Sequence, residues 1–184
     1  MLPGSSNFDY AMHSGSFIVQ WNPISVFSSE FRIGFNHLEV IDVDGRDQDD
    51  LIYTLQLRYQ PESTSTWTLS TVREIVNSFF RDNSAFQSTA IQLTWDQRFG
   101  VKWRSTSLIS YEVNRYNISS LDVVGGGIFK LRKDERFQGT LSLIYSIQEW
   151  WDVSMEYSYT NNDSNFNEND FSRNNVFLRF SFVL

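Results

Sequence analysis

Hydrophobic and polar positions alternate with period two along almost the whole chain, the pattern of strands that present one apolar and one polar face. In the last nine residues, VFLRFSFVL, Val176, Leu178, Phe180, Phe182 and Leu184 share one face, and Phe177, Arg179, Ser181 and Val183 share the other. The same rhythm predicts eight earlier strands. They run over 14–22 (Phe17, Val19 and Trp21 on the apolar face), 26–37 (Phe27, Phe31, Ile33, Phe35), 51–60 (Leu51 to Tyr59 at alternate positions), 67–79, 88–96 (Thr89, Ile91, Leu93, Trp95), 101–114 (Val101, Trp103, Ile109, Tyr111, Val113), 137–147 (Phe137, Leu141, Leu143, Tyr145, Ile147) and 152–160 (Val153, Met155, Tyr157, Tyr159). In 67–79 the apolar positions begin at Trp67 and Leu69 and pass to Val72 and Val76, which predicts a bulge or a change of register near Thr71. Asn7 to Met12, with Phe8, Tyr10 and Met12 alternating, is a candidate tenth strand. No helix longer than one turn is predicted.

The connections alternate in length. Short ones fall at Asn22 to Ser25, Pro61 to Thr66, Gln97 to Gly100 and Gln148 to Trp151, and long ones around Leu38 to Asp50, Phe80 to Phe86, Tyr116 to Arg136 and Asn161 to Ser172. A terminal strand so apolar on one face would be an adhesive edge in water, and such edges are normally blunted or covered. In a barrel in lipid, that face meets acyl chains, Arg179 points inward, and closure against the first strand pairs both edges. The expected fold class is therefore all-β: an antiparallel up-and-down transmembrane β-barrel with about 9–10 strands in this chain. With the C-terminus periplasmic, every short turn falls on the periplasmic side and every long loop outside. Residues 1–184 form one such domain or the C-terminal segment of a larger barrel.

Composition narrows the alternatives. No window approaches the roughly 20 consecutive apolar residues of a transmembrane helix, while Phe 16, Tyr 8 and Trp 6 make the chain aromatic. A formal net charge of -7, with basic residues scattered, argues against nucleic acid as a partner. Cysteine is absent, which the outer membrane accommodates. The first residues, MLPGSSNFDYAMHSG, lack the basic and apolar regions of a signal peptide, so the expectation is a mature form or part of a longer precursor. Trp21, Trp67, Trp95, Trp103, Trp150 and Trp151 all lie at or near the short turns, as a membrane-interface girdle predicts. A soluble ligand-binding barrel of lipocalin type fits poorly, because its apolar face would turn inward.

Candidate chemistry is sparse. The charges Glu30, Arg32, Arg58, Lys102, Arg104, Glu112, Glu156 and Arg179 fall on the lumen face, where their mixed signs favour an internal salt-bridge network over a solute-selecting ring. The loop VIDVDGRDQDD places Asp42, Asp44, Asp47 and Asp49 around a glycine, a carboxylate pattern that would suit calcium. Its spacing falls short of an EF-hand, and a solvated acidic loop is the favoured reading. No other cofactor is expected. Of the two histidines, His37 lies roughly 27 Å along its strand from Ser28 and Ser29 at about 3.3 Å per residue, so no hydrolase-like triad is expected. Glu112 and Glu156 could form a carboxylate pair, but charges lining a barrel are more often structural. The chain is read as no enzyme.

Two stretches carry a family resemblance: FRDNSAFQSTAIQLTW from Phe80, and RKDERFQGTLSLIYSIQEWWDVSMEYSYTNNDSNFNENDFSRNNVFLRFSFVL from Arg132. An Arg-x-Asp element precedes a strand, and a tyrosine-rich strand runs into an Asp-Ser-Asn loop before the last strand. This resembles the outer-membrane β-barrel family known as β-barrel porin type 2, associated with exopolysaccharide and capsule export. The likeness covers about the last hundred residues well and the first eighty by rhythm. It implies a porin-like protein of the bacterial outer membrane that supports passage of hydrophilic solutes or polysaccharide. Its partners would be membrane lipid, lipopolysaccharide and the barrel assembly machinery, the last reading Phe180, Phe182 and Leu184. Such chains usually end in an aromatic residue, whereas this one ends in Leu184. Family members are longer, which implies that this chain is the C-terminal part of a larger barrel or a reduced one. The competing reading is a small closed barrel that serves as a structural or adhesive anchor without transport.

Overall fold

Tight turns and strand alternation together set the architecture. The computed structural model describes residues 10–40, 48–77, 85–122 and 128–182. They form β1 (Tyr10–Ile24), β2 (Phe27–Val40), β3 (Gln48–Glu62), β4 (Ser65–Asn77), β5 (Ala85–Phe99), β6 (Trp103–Asp122), β7 (Ile128–Gln148), β8 (Trp151–Ser164) and β9 (Phe171–Phe182), with one 3₁₀ turn at Asn167–Asn169. Each strand pairs antiparallel with its chain neighbours in a single sheet ordered β1 to β9. The four short turns lie where the alternation predicts them, at 25–26, 63–64, 100–102 and 149–150. Gly100 opens the third with φ +65, a left-handed conformation that costs a side-chain-bearing residue roughly 1–2 kcal/mol. The ends of the sheet are called below the short-turn end and the long-loop end.

Three expectations are corrected. Tyr10 to Met12 is no separate strand: these residues continue β1, opposite Val40 to Leu38 of β2. There is no bulge at Thr71, because β4 and β5 keep one register from Ser65↔Gln97 to Asn77↔Ala85. The apolar face of β4 instead gives out locally. Thr71 occupies it by donating its hydroxyl to the Ala90 carbonyl at 2.9 Å, and Val72 lies on the polar face opposite Ala90 and Thr54. Finally, the stretches around Tyr116 and Arg136 are strand rather than loop, so that β6 reaches 20 residues and β7 reaches 21. That is about twice the roughly 9–11 residues a tilted strand needs to cross a bilayer.

The two faces differ in exposure as well as chemistry. On the apolar face Ile109, Leu141 and Phe180 are more than half exposed, whereas Ser88, Asn114 and Ser158 on the polar face are buried. In a single-layer sheet this difference reports curvature, with the polar face concave. Among the described residues only Ile75 and Phe166 are buried hydrophobics. The aliphatic and aromatic side chains therefore point outward, and no apolar core lies between layers. At the long-loop end the β3–β4 ladder stops at Tyr53↔Arg73, while β3 stays with β2 and β4 with β5. In β2, Gly34 sits so close to β1 that an added Cβ would meet the Gly15 carbonyl at 2.5 Å. Among the described residues β1 and β9 each have a hydrogen-bonded neighbour on one side only, so the sheet is open and β9 does not close on β1.

Candidate functional site

The polar residues alternate inward along each strand, and near the short turns they line three adjoining cavities. One of about 350 Å³ lies among Gln20, Asn22, Ser28, Glu30, Gln56 and Arg58. The second, of about 280 Å³, shares Arg58 and Thr68 and adds Asp96, Arg98 and Arg104. The third, of about 410 Å³, shares Arg98 and Arg104 and adds Lys102 and Asp152. The β5–β6 register sets Arg98 directly opposite Arg104. Asp96 forms no ion pair with either among the described residues, and Thr106 across the ladder donates to it at 2.6 Å.

The charges read as lumen-facing thus form pieces rather than one network. Arg32 and Glu30 approach to 4.0 Å and Arg136 and Glu112 to 3.9 Å. Gln20 also donates to Glu30 and Asn114 to Glu112. Among the described residues, Arg58, Lys102, Arg104, Glu156 and Arg179 enter no ion pair. Arg58 donates to Gln60 at 3.4 Å, and Lys102 lies over the Tyr145 ring. Arg98 carries no signal in the sequence beyond its place beside a turn flanked by basic residues.

At the long-loop end Arg73, Arg132, Lys133 and Arg136 each meet a carboxylate. Asp134, 2% exposed, takes hydrogen bonds from Arg132 and from the Ser164 hydroxyl. Asn165 donates to the Leu131 carbonyl and accepts from the Lys133 amide. The Arg-x-Asp and Asp-Ser-Asn elements are therefore in contact with each other, on β7 and β8. Phe166 is buried beneath Lys130, whose ammonium lies 4.8 Å from its ring centre. Arg132 stacks over Tyr116, 4.7 Å from the ring centre. This cluster lies beyond the part of β6 and β7 long enough to cross a bilayer. There, burial above all holds the Tyr116 phenol above its usual range, against the opposing Arg132 charge. Asp50, 6% exposed, fills the gap where β3 leaves β4, and accepts from Arg73 at 2.9 Å and from Gln87.

The remaining candidates are placed as follows. The six tryptophans lie at the short-turn end: Trp67 stacks on Trp95 at 5.2 Å, Trp103 packs against Tyr145 at 4.5 Å, and Trp151 bridges Trp150 and Phe182. Trp21 meets Phe27 edge-on at 6.2 Å. Phe180 and Phe182 stand opposite Val153 and Trp151, while Leu184 lies outside the described residues. Of the acidic loop, Asp42, Asp44 and Asp47 also lie outside them, and Asp49 is bonded to His37 Nδ1 at 2.7 Å. His37 stacks on His13, near the opposite end of β2 from Ser28 and Ser29. Glu112 faces Arg136, and Glu156 faces Ser142, which itself faces Thr106. The two carboxylates are thus about six residues, roughly 20 Å, apart along the sheet.

A family model described as "Putative beta-barrel porin 2" matches residues 10–182, every strand of the sheet. No curated protein matches the chain.

Proposed function

Because the chain belongs to the beta-barrel porin 2 family, we propose that it is an outer-membrane, porin-like protein whose polar face lines a path for hydrophilic solutes, polysaccharide among them. One observation carries this reading: among the described residues the apolar side chains face outward without a core, while the cavities and the charges near the short turns share the concave face. Lipid is the solvent that makes such an outer face favourable, since each exposed leucine or phenylalanine forgoes about 1.5–3 kcal/mol in water. On this reading the short turns are periplasmic, and the stacked tryptophans form the girdle at that interface, where a ring that is apolar with one polar edge is most stable. Lipopolysaccharide surrounds the long-loop end, and the assembly machinery engages the strand that ends in Phe180 and Phe182.

Purification tests the reading directly. The protein should require detergent, and in planar bilayers it should give stable conductance steps. Solubility without detergent would overturn the membrane placement. Stable insertion without conductance would instead favour a structural or adhesive anchor.

A further inference from the structure

We infer that Arg58, Arg98 and Arg104 form a binding site for an anionic solute carrying carboxylate or phosphate groups, at the short-turn end of the polar face. The inference deepens the proposed passage of hydrophilic solutes and rests on it only for how the solute arrives. Three observations meet here. First, the three guanidiniums line one cavity of about 280 Å³ together with Gln60, Thr66 and Thr68, neutral groups that can donate to oxygen. Second, none of the three is ion-paired among the described residues. The cavity's own carboxylate, Asp96, already accepts a hydrogen bond from Thr106 at 2.6 Å. Third, Arg98 and Arg104 are directly opposed in the β5–β6 ladder, where like charges destabilise a sheet.

Arginine presents a planar fork of donors matched to carboxylate and phosphate oxygens, so two opposed guanidiniums can hold one anion between them. The adjoining cavities continue the path. Lys102, with Arg98 and Arg104, faces Asp152 in the third cavity, and Arg58 looks into the first beside Glu30. Cations outnumber carboxylates in the second and third cavities and balance them in the first, so the preference for anions is strongest around Arg98 and Arg104. A polyanionic chain would find its densest contacts there.

The test compares wild type with Arg98→Gln/Arg104→Gln, folding being verified by heat-modifiable migration on gels. In bilayers under a KCl gradient, wild-type current should reverse at a potential showing preference for chloride. Tripolyphosphate or trigalacturonic acid should block it, and maltotriose should not. The double variant should lose both the preference and the block. Block by one of the two anions alone would decide between phosphate- and carboxylate-bearing solutes. Unchanged selectivity and block in a variant that still conducts would overturn the site. Should wild type insert and not conduct, calorimetric titration of the detergent-folded protein with the same three compounds takes over. Anion affinity lowered roughly tenfold or more in the variant would uphold the site while the passage reading fails. No anion binding by wild type would overturn the site.

Discussion

At the long-loop end Arg73, Arg132, Lys133 and Arg136 each meet a carboxylate, and Asp134 at its centre is 2% exposed. At the short-turn end Arg58, Arg98 and Arg104 share a cavity and meet none among the described residues. The same residue type does two different jobs. Where the protein supplies the counter-charge, arginine ties neighbouring strands, and through Asp134 a loop, together. Where it withholds the counter-charge, arginine keeps its donors for something that is not protein. Rings take over the structural role at that end, through the Trp67–Trp95, Trp103–Tyr145 and Trp151–Phe182 contacts.

The largest effect that would break this contrast is expected from Asp134→Ala. It leaves Arg132 and Ser164 without their acceptor, and removing one partner of a largely buried pair costs about 3 kcal/mol or more. Urea unfolding in micelles, followed by tryptophan emission, should show the loss, and limited proteolysis should begin to cut within 165–170. An unchanged midpoint would mean that this end is not held by its charges. Asp50→Ala comes next, because Arg73 and Gln87 both lose an acceptor; about 2 kcal/mol is expected in the same assay.

At the other end Trp67→Ala should remove the stacked pair with Trp95, worth about 1 kcal/mol beyond the lost area. A double-mutant cycle with Trp95→Ala, unfolded by urea in the same micelles, should return that coupling, and additive losses would show that the stack contributes nothing. A smaller, pH-dependent effect belongs to Tyr116. A phenol whose pKa is raised on folding adds stability that is complete below its ordinary value of 10.0 and is lost as pH rises through the folded value. Wild type should therefore weaken in strong alkali more than Tyr116→Phe, as paired melting curves would reveal. Smallest and opposite in sign is Arg98→Gln: relief of its opposition to Arg104 should leave stability unchanged or slightly raised. A clear loss would show that Arg98 is structural after all.

Much of the fold is legible in the residues themselves. From Leu51 to Tyr59 or from Thr89 to Trp95, one face is apolar at every second position, and this fixes which side faces outward and brackets the turns. The extensions of β6 and β7 escape that reading because Arg132, Lys133, Asp134, Glu135 and Arg136 are charged on both faces. Pairing to β6 and β8, the Arg136–Glu112 ion pair across the β6–β7 ladder and the Arg132–Asp134 and Lys133–Glu135 pairs along β7 hold these extensions as strand in the absence of alternation. Thr71 misleads for a related reason, since its hydroxyl finds a backbone acceptor and makes an apolar-face position serviceable. The candidate site was half visible. Arg58, Lys102 and Arg104 have the right face by alternation, but whether a cation is paired depends on register between strands. The opposition of Arg98 to Arg104 arises from the three-residue turn at 100–102 and from nothing local to either arginine.

The open sheet carries one more implication, and it is arithmetic. Strand direction reverses at every step of a meander, so the first and ninth strands of this one run the same way. Brought together directly they would make a parallel seam with slanted hydrogen bonds, whatever the size of the ring. A ring that is antiparallel throughout needs an odd number of further strands between β9 and β1, which makes the total even, as in single-chain bacterial barrels.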